Sequence, residues 1–292
     1  MQIKPHGRYE YRPITENPPY RWPAGRGLAV FFALNLEAYS FGEGILDEIV
    51  PASPQPDVLN YSWLDYGNRV GAHRLRQLFA ETGLPVTLLV NSRLYDVSPG
   101  LIEGFRGNTE IAAHGRSNSE RQGQLPEADE RALIAEATAK IARHEGKPPR
   151  GWLSPWISQS TLTPDLLKEA GYQYLLDWCH DDRPIPFATR SGPMLSVPYP
   201  QEANDANAIA VRRMDADSFA DLLVDQFDEM LRQADGDALV MSVALHPHIT
   251  GQPFRLKHLR CALQQIVAQR EKIWATTAGE IAAVAAKGHG IA

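Results

Sequence analysis

Cysteine is nearly absent from this chain: Cys179 and Cys261 are the only two in 292 residues, far apart and in no Cys-x-x-Cys pair. A disulfide framework or a thiolate zinc cluster is therefore excluded as the basis of the fold, and the usage suits a reducing compartment. Blocks of basic residues are also missing. With 29 Lys+Arg against 35 Asp+Glu and a net charge of −6, the chain offers no footprint for nucleic acid or an anionic membrane surface. No apolar run is long enough to span a bilayer, and the first residues, MQIKPHGRYEYRPITENPPYRWP, contain no apolar core of a signal peptide. A cytoplasmic protein is expected. No repeat and no low-complexity tract is present.

What remains is the composition of a soluble globular protein, 43% hydrophobic and 22% charged, at a length that an α/β barrel occupies as one domain. Residues 1–292 are read as that domain, with an N-terminal arm over 1–24. Strand-like runs alternate with helical periods. GLAVFFALN (27–35), LPVTLLVN (84–91), TEIAAHG (109–115), RGWLSP, YQYLLDW, PMLSVPY and DALVMSVALH supply about seven strands. Helical spacing occupies 69–83, 127–146, 162–171, 216–234, 255–270 and 277–286. Such alternation predicts a parallel sheet. Residues 40–66 read as one long irregular segment, either a functional lid or a surface excursion against a sister subunit.

Titratable and aromatic residues collect just after separate strands, where α/β barrels build active sites. They are Glu37, His114, Trp156, Asp177 with Asp181 and Asp182, and the His246-Pro247-His248 pair. Each has a plainer alternative. Glu37 could pair with Arg69, His114 could be a satisfied core imidazole, Asp177 a turn cap, Asp181 and Asp182 a solvated turn, and Trp156 a plug of the barrel mouth. His246 and His248, two apart on a strand end, would point the same way and suit a metal or a general acid.

The residues and their order resemble the polysaccharide deacetylase superfamily, of NodB-like fold. The likeness is carried by YGNRVGAHRLRQLFAETGLPVT (66–87), EIAAHG (110–115), DWCHDDRPIPF (177–187), LHPHITGQPFRL (245–256) and WATTAGEIA (274–282). It extends from about Trp22 to about Ala286, and is strongest to an intracellular branch that includes an allantoinase analogue and a peptidoglycan-deacetylase-like protein. The resemblance implies a deformed (β/α) barrel and homo-oligomers. The family's metal-dependent members carry an Asp-Asp pair, base then ligand, and an HxxxH pair of ligands. Here these positions read Glu37-Ala38 and His114…Asn118, and the arginine that orients the base is Leu153. His246 matches the general acid. The resemblance thus keeps base and acid but only His114 of the metal ligands.

A metal-free hydrolysis of a carbon–nitrogen bond is expected, with no cofactor required; a divalent metal such as zinc, held by His114 with Glu37 and Asn118 or His248, is the alternative. In that scheme Glu37, its pKa raised by an apolar barrel mouth, deprotonates water. His114, Asn118 or backbone N–H groups stabilise the oxyanion, at about 3 kcal/mol per good donor. His246 protonates the leaving nitrogen. Tyr66, Trp156 and Trp178 wall a pocket, and Asp177, Asp181 and His248 meet polar groups of a small, possibly cyclic, amide or ureide. The alternatives are a carbohydrate N-deacetylase working on a sugar precursor and an inactive ligand-binding homologue.

Overall fold

The computed structural model describes residues 3–16 and 20–291; residues 1–2 and 17–19 of the expected arm, and residue 292, lie outside the described residues. The frame is a single curled sheet: β1 (Leu28–Leu36), β2 (Val86–Val90), β3 (Thr109–Ala113), β4 (Gly151–Trp152), β5 (Tyr174–Leu175), β6 (Ile185–Phe187), β7 (Met194–Ser196), β8 (Leu239–Leu245) and β9 (Ile273–Ala275). Their order is β6-β7-β5-β4-β3-β2-β1-β8, with β9 added beside β1. Every pairing is parallel except β6 with β7. Beyond β8 the sheet is met by irregular chain: Val240 N–H donates to the Asp182 carbonyl and Ala244 N–H to that of Ala203. The result is a deformed (β/α) barrel. The two strands beyond the expected seven are β6 and β9, three residues each and too short to show a period.

The helices are α1 (Val58–Tyr66), α2 (Ala72–Thr82), α3 (Leu94–Val97), α4 (Pro99–Glu103), α5 (Glu127–Glu145), α6 (Thr163–Glu169), α7 (Ala216–Gln233), α8 (Pro247–Thr250), α9 (Pro253–Ala268) and α10 (Ala278–His289). Residues 58–66 are thus helical, a correction to the irregular reading of 40–66. Asp57 caps α1 by accepting from the Asn60 N–H at 3.0 Å. The helix buries only Asn60 and Leu64, so its sequence shows no apolar stripe. A π-helical turn, Gly67–Gly71, joins α1 to α2. Its glycines let α8 dock closely: a Cβ at Gly71 would fall 2.0 Å from the Pro247 carbonyl oxygen, and one at Gly67 2.8 Å from the His248 nitrogen. The turn thereby sets where His246 and His248 sit.

Alternation along the strands divides the core in two. Leu28, Val30, Phe32, Leu34 and Leu36 of β1 pack outward against the helices. Ala29, Phe31 and Ala33 belong to the second cluster, with Leu89, Ala112, Leu153, Val240 and Ala244, inside the barrel. Because side chains alternate with period two, the inward series on β1 continues through Asn35 to Glu37. On β2 it reaches Asn91, on β3 His114, and on β8 His246. The sheet therefore delivers these four residues to its C-terminal mouth. Among the described residues no helix is long and apolar enough to cross a membrane.

Candidate active site

The register sets three of these side chains in a row. Leu36 pairs with Val90 and Val90 with Ala113, so Glu37, Asn91 and His114 follow one step further along adjacent strands. Asn91 N–H donates to the Leu36 carbonyl and His114 N–H to that of Val90. Glu37 and His246 are each 9% exposed, His114 2% and His248 3%.

Glu37 accepts from Asn118 Nδ2 on Oε1 at 2.8 Å and from the Tyr39 hydroxyl on Oε2 at 2.8 Å. Its Oε1 also lies 3.5 Å from His114 Nε2 and 3.8 Å from His246 Nε2. Asn68 donates to the Glu37 backbone carbonyl at 2.7 Å, tying the end of β1 to the π-helical turn. Burial pushes the carboxyl up, but the imidazoles of His114, His246 and His248 around it outweigh burial and hold it down at about 2. The expected rise is therefore corrected: the mouth is lined by donors rather than by apolar groups, and Glu37 is an ionised carboxylate. Arg69 plays no part in this; it is exposed and paired with Asp65.

His246 is oriented by Asp205. Its Nδ1 lies 2.7 Å from Asp205 Oδ1, its backbone N–H donates to both carboxylate oxygens, and the Thr250 hydroxyl donates to Oδ2. Burial alone would push the imidazolium down, yet the charge and hydrogen bond of Asp205, with Glu37 and Asp47 adding, raise it to about 9. His246 is thus protonated at neutral pH, with Nε2–H turned to Glu37.

The amide of Asn118 has a fixed sense. Asn91 Oδ1 accepts from the Ala38 N–H at 2.8 Å, and Asn91 Nδ2 donates to the His114 carbonyl and to Asn118 Oδ1. Backbone groups at both ends polarise the chain, so Asn118 must point its oxygen at Asn91 and its NH2 at Glu37. It is neither a metal ligand nor a free oxyanion donor. His114 Nδ1 meets the Leu153 carbonyl at 2.8 Å, and among the described residues its Nε2 has no hydrogen-bond partner. That nitrogen and Glu37 Oε1 are two potential ligand atoms, but Ala38 has no donor atom and the Asn118 oxygen is turned away. Among the described residues no three His, Cys, Asp or Glu side chains group to hold a metal ion. The donor set does not fit zinc, which takes about three protein ligands in catalytic sites.

The remaining expected residues divide. Asp177 accepts from the Ser154 N–H and hydroxyl, both at 2.7 Å, next to the carbonyl that holds His114; burial raises it to about 6 against those hydrogen bonds. Trp156 sits at the rim, its Nε1 donating to the Asn118 carbonyl at 2.8 Å, in a left-handed backbone conformation with φ of 61°. His248 is not on the strand, which ends at Leu245, but in α8; its ring centroid still lies 5.8 Å from that of His246. Tyr66 turns its hydroxyl to Arg74 and Trp178 packs on Phe187, so neither walls the site. Asp181 is not brought to it either. The chain after β5 turns toward the start of β8, and Asp181 lines a cavity of about 940 Å³ with Tyr9 and Arg12 of the arm. Tyr39, Asn91, Asp205 and Asp47 are site residues that sequence reasoning missed; the inward alternation on β2 points to Asn91, and nothing local marks the others.

The curled, largely parallel sheet thus presents a carboxylate–imidazolium pair at its C-terminal mouth. No family model matches the chain. A Schizosaccharomyces pombe protein classed as a polysaccharide deacetylase is 25% identical, over 93% of each chain. A crystal structure from Pseudomonas aeruginosa PAO1, described as a probable polysaccharide deacetylase, superposes with a TM-score of 0.83 at 27% identity, covering 94% of this chain and 96% of the other. The allantoinase PuuE superposes with a TM-score of 0.82 at 26% identity, covering 94% and 95%. Over nearly its whole length the chain is thus similar, in sequence and in fold, to proteins described as polysaccharide deacetylases.

Proposed function

We propose that the site hydrolyses the amide bond of a small N-acyl compound by acid–base catalysis between Glu37 and His246. The buried pair itself carries this reading: Glu37 ionised and His246 protonated, 3.8 Å apart. Glu37 draws a proton from water as the water oxygen attacks the carbonyl carbon. The tetrahedral adduct then breaks its C–N bond while His246 Nε2 gives its proton to the leaving nitrogen. A carboxylic acid and an amine result. Because Glu37 is a weak base, proton removal accompanies attack rather than preceding it, and Asn118 and Tyr39 hold the carboxylate in place for it. Asp205 keeps His246 charged and fixes its ring.

The names of the relatives favour an N-acetylated amino sugar as substrate, so the acyl group lost would be acetyl. The burial of Glu37 and His246, each 9% exposed, favours a soluble sugar or a chain end over the middle of a polymer. A ureide is the second reading, supported by the likeness to an allantoinase. A panel of N-acetylated amino sugars, ureides and hydantoins, assayed for acetate, amine and ring opening, tests both. Glu37→Gln should lower the accepted reaction by a factor on the order of 10²–10⁴. Unchanged turnover would exclude Glu37 as the base. His246→Ala should slow amides with poor leaving groups most; an equal effect on activated amides would exclude the acid role.

A further inference from the structure

His248, buried at the mouth, has no part in the proposed reaction. His248 is 3% exposed, and among the described residues its Nε2 has no hydrogen-bond partner. The nearest carboxylate oxygen is Asp47 Oδ2, at 3.9 Å, too far for a direct hydrogen bond. A buried polar atom with no partner is costly, and such atoms in folded proteins usually have a bound group to meet.

Asp47 is not on a free loop. Residues 40–57 cross the mouth as a strap fastened at both ends. On one side Ser40 N–H donates to the Ser119 hydroxyl and Ile45 N–H to the Ser119 carbonyl. On the other, Val50 N–H donates to Asn60 Oδ1, and Asn60 Nδ2 returns to the Val50 carbonyl at 2.9 Å. Between these anchors the Asp47 side chain, 30% exposed, reaches inward. Trp63 of α1 stands edge-on to the His248 ring at 5.5 Å and fixes it from behind. Imidazole and carboxylate are thus each held in place, and the His246 ring centroid lies 5.8 Å from that of His248.

We propose that Asp47 and His248 form a second polar subsite of the active chamber, which binds a neutral hydroxyl or amino group of the substrate beyond its scissile amide. This rests on the amide-hydrolase reading and narrows its substrate class. With His248 Nε2 protonated, a hydroxyl can accept from the imidazole while donating to the carboxylate; with Nε2 unprotonated, an amino group can donate to both. An anionic group is disfavoured there, because Glu37 and Asp47 both face the chamber and His246 is already matched by Asp205. Amino sugars and hydroxylated N-acyl amines meet these requirements; acyl amines ending in carboxylate do not.

Two probes that differ by one hydroxyl test the subsite: N-ethylacetamide and N-(2-hydroxyethyl)acetamide, with binding followed by ligand-observed NMR and acetate release measured in parallel. The hydroxylated probe should bind the wild-type protein about tenfold more tightly, the worth of one good hydrogen bond. The preference should fall to within about twofold in Asp47→Ala and in His248→Phe. Binding of both probes with no preference overturns the subsite and leaves the hydrolase reading standing. Equal weakening of both probes by Asp47→Ala also overturns it, since the pair is then only a latch for the strap. Preference without acetate release supports the subsite and counts against the hydrolase reading. No binding of either probe to the wild type overturns both.

Discussion

Asp205 holds His246 from below: carboxylate Oδ1 and imidazole Nδ1 are 2.7 Å apart, with Asp205 fully buried, and the same carboxylate takes the His246 backbone N–H. One carboxylate thus sets the position, the ring orientation and the charge of the acid.

Asp205→Asn should move the alkaline limb of the kcat/KM profile to lower pH by a unit or more, because the anion that raises His246 is gone. The sign for stability follows. The folded-state pKa of His246 is raised from 6.5 to about 9, so its contribution is complete below about pH 6.5 and is lost as pH rises through about 9. At about 1.4 kcal/mol per pH unit this amounts to at most about 3 kcal/mol. Urea unfolding at pH 6 and pH 9.5 should show that fall in the wild type and little of it in the variant.

Asn118 is a donor here because Asn91 makes it one. Replacing the pair position and the amide together, Ala38→Asp with Asn118→His, places the ligand types of the family's metal-dependent members beside His114. Calorimetry should then detect binding of one Zn²⁺ per chain to the double variant and none at this site in the wild type. If the wild type binds zinc and loses it in His114→Ala, the orientation argued for Asn118 is wrong.

Trp156 occupies a backbone region that bulky residues rarely adopt, with φ of 61°. Trp156→Gly should relieve that conformation while removing the rim indole and its bond to the Asn118 carbonyl. The melting temperature should stay within a few degrees, and KM should rise more than kcat falls. A collapse of kcat with unchanged KM would move Trp156 from the rim into the chemistry.

Much of the site was legible because it lies on strands. Glu37, His114 and His246 each extend an inward-facing series by one step past a strand whose apolar run is visible in the sequence. Asn91 obeys the same rule on β2. Asp205 did not show, since it sits 41 residues from the histidine it holds, after a strand of only three residues. Tyr39 lies just before the strap and Asp47 on it, and the strap's path over the mouth is set by anchors at Ser119 and Asn60. Asp181 was misplaced for the converse reason: it follows a strand, but the chain there turns away, and Asp182 bonds the start of β8. The charge state of Glu37 was misread because three imidazoles from β3, β8 and α8 converge on it only in space.

In the proposed reaction an ionised Glu37 works with a protonated His246 and without a metal. The most direct measurement is the pH dependence of kcat/KM, with an accepted amide, in buffer containing a strong chelator. A level rate from mildly acidic through neutral pH, falling above about pH 9, is the predicted result. A rate abolished by the chelator and restored by Zn²⁺, or an acidic limb between pH 5 and pH 7 that vanishes in Glu37→Gln, would contradict it.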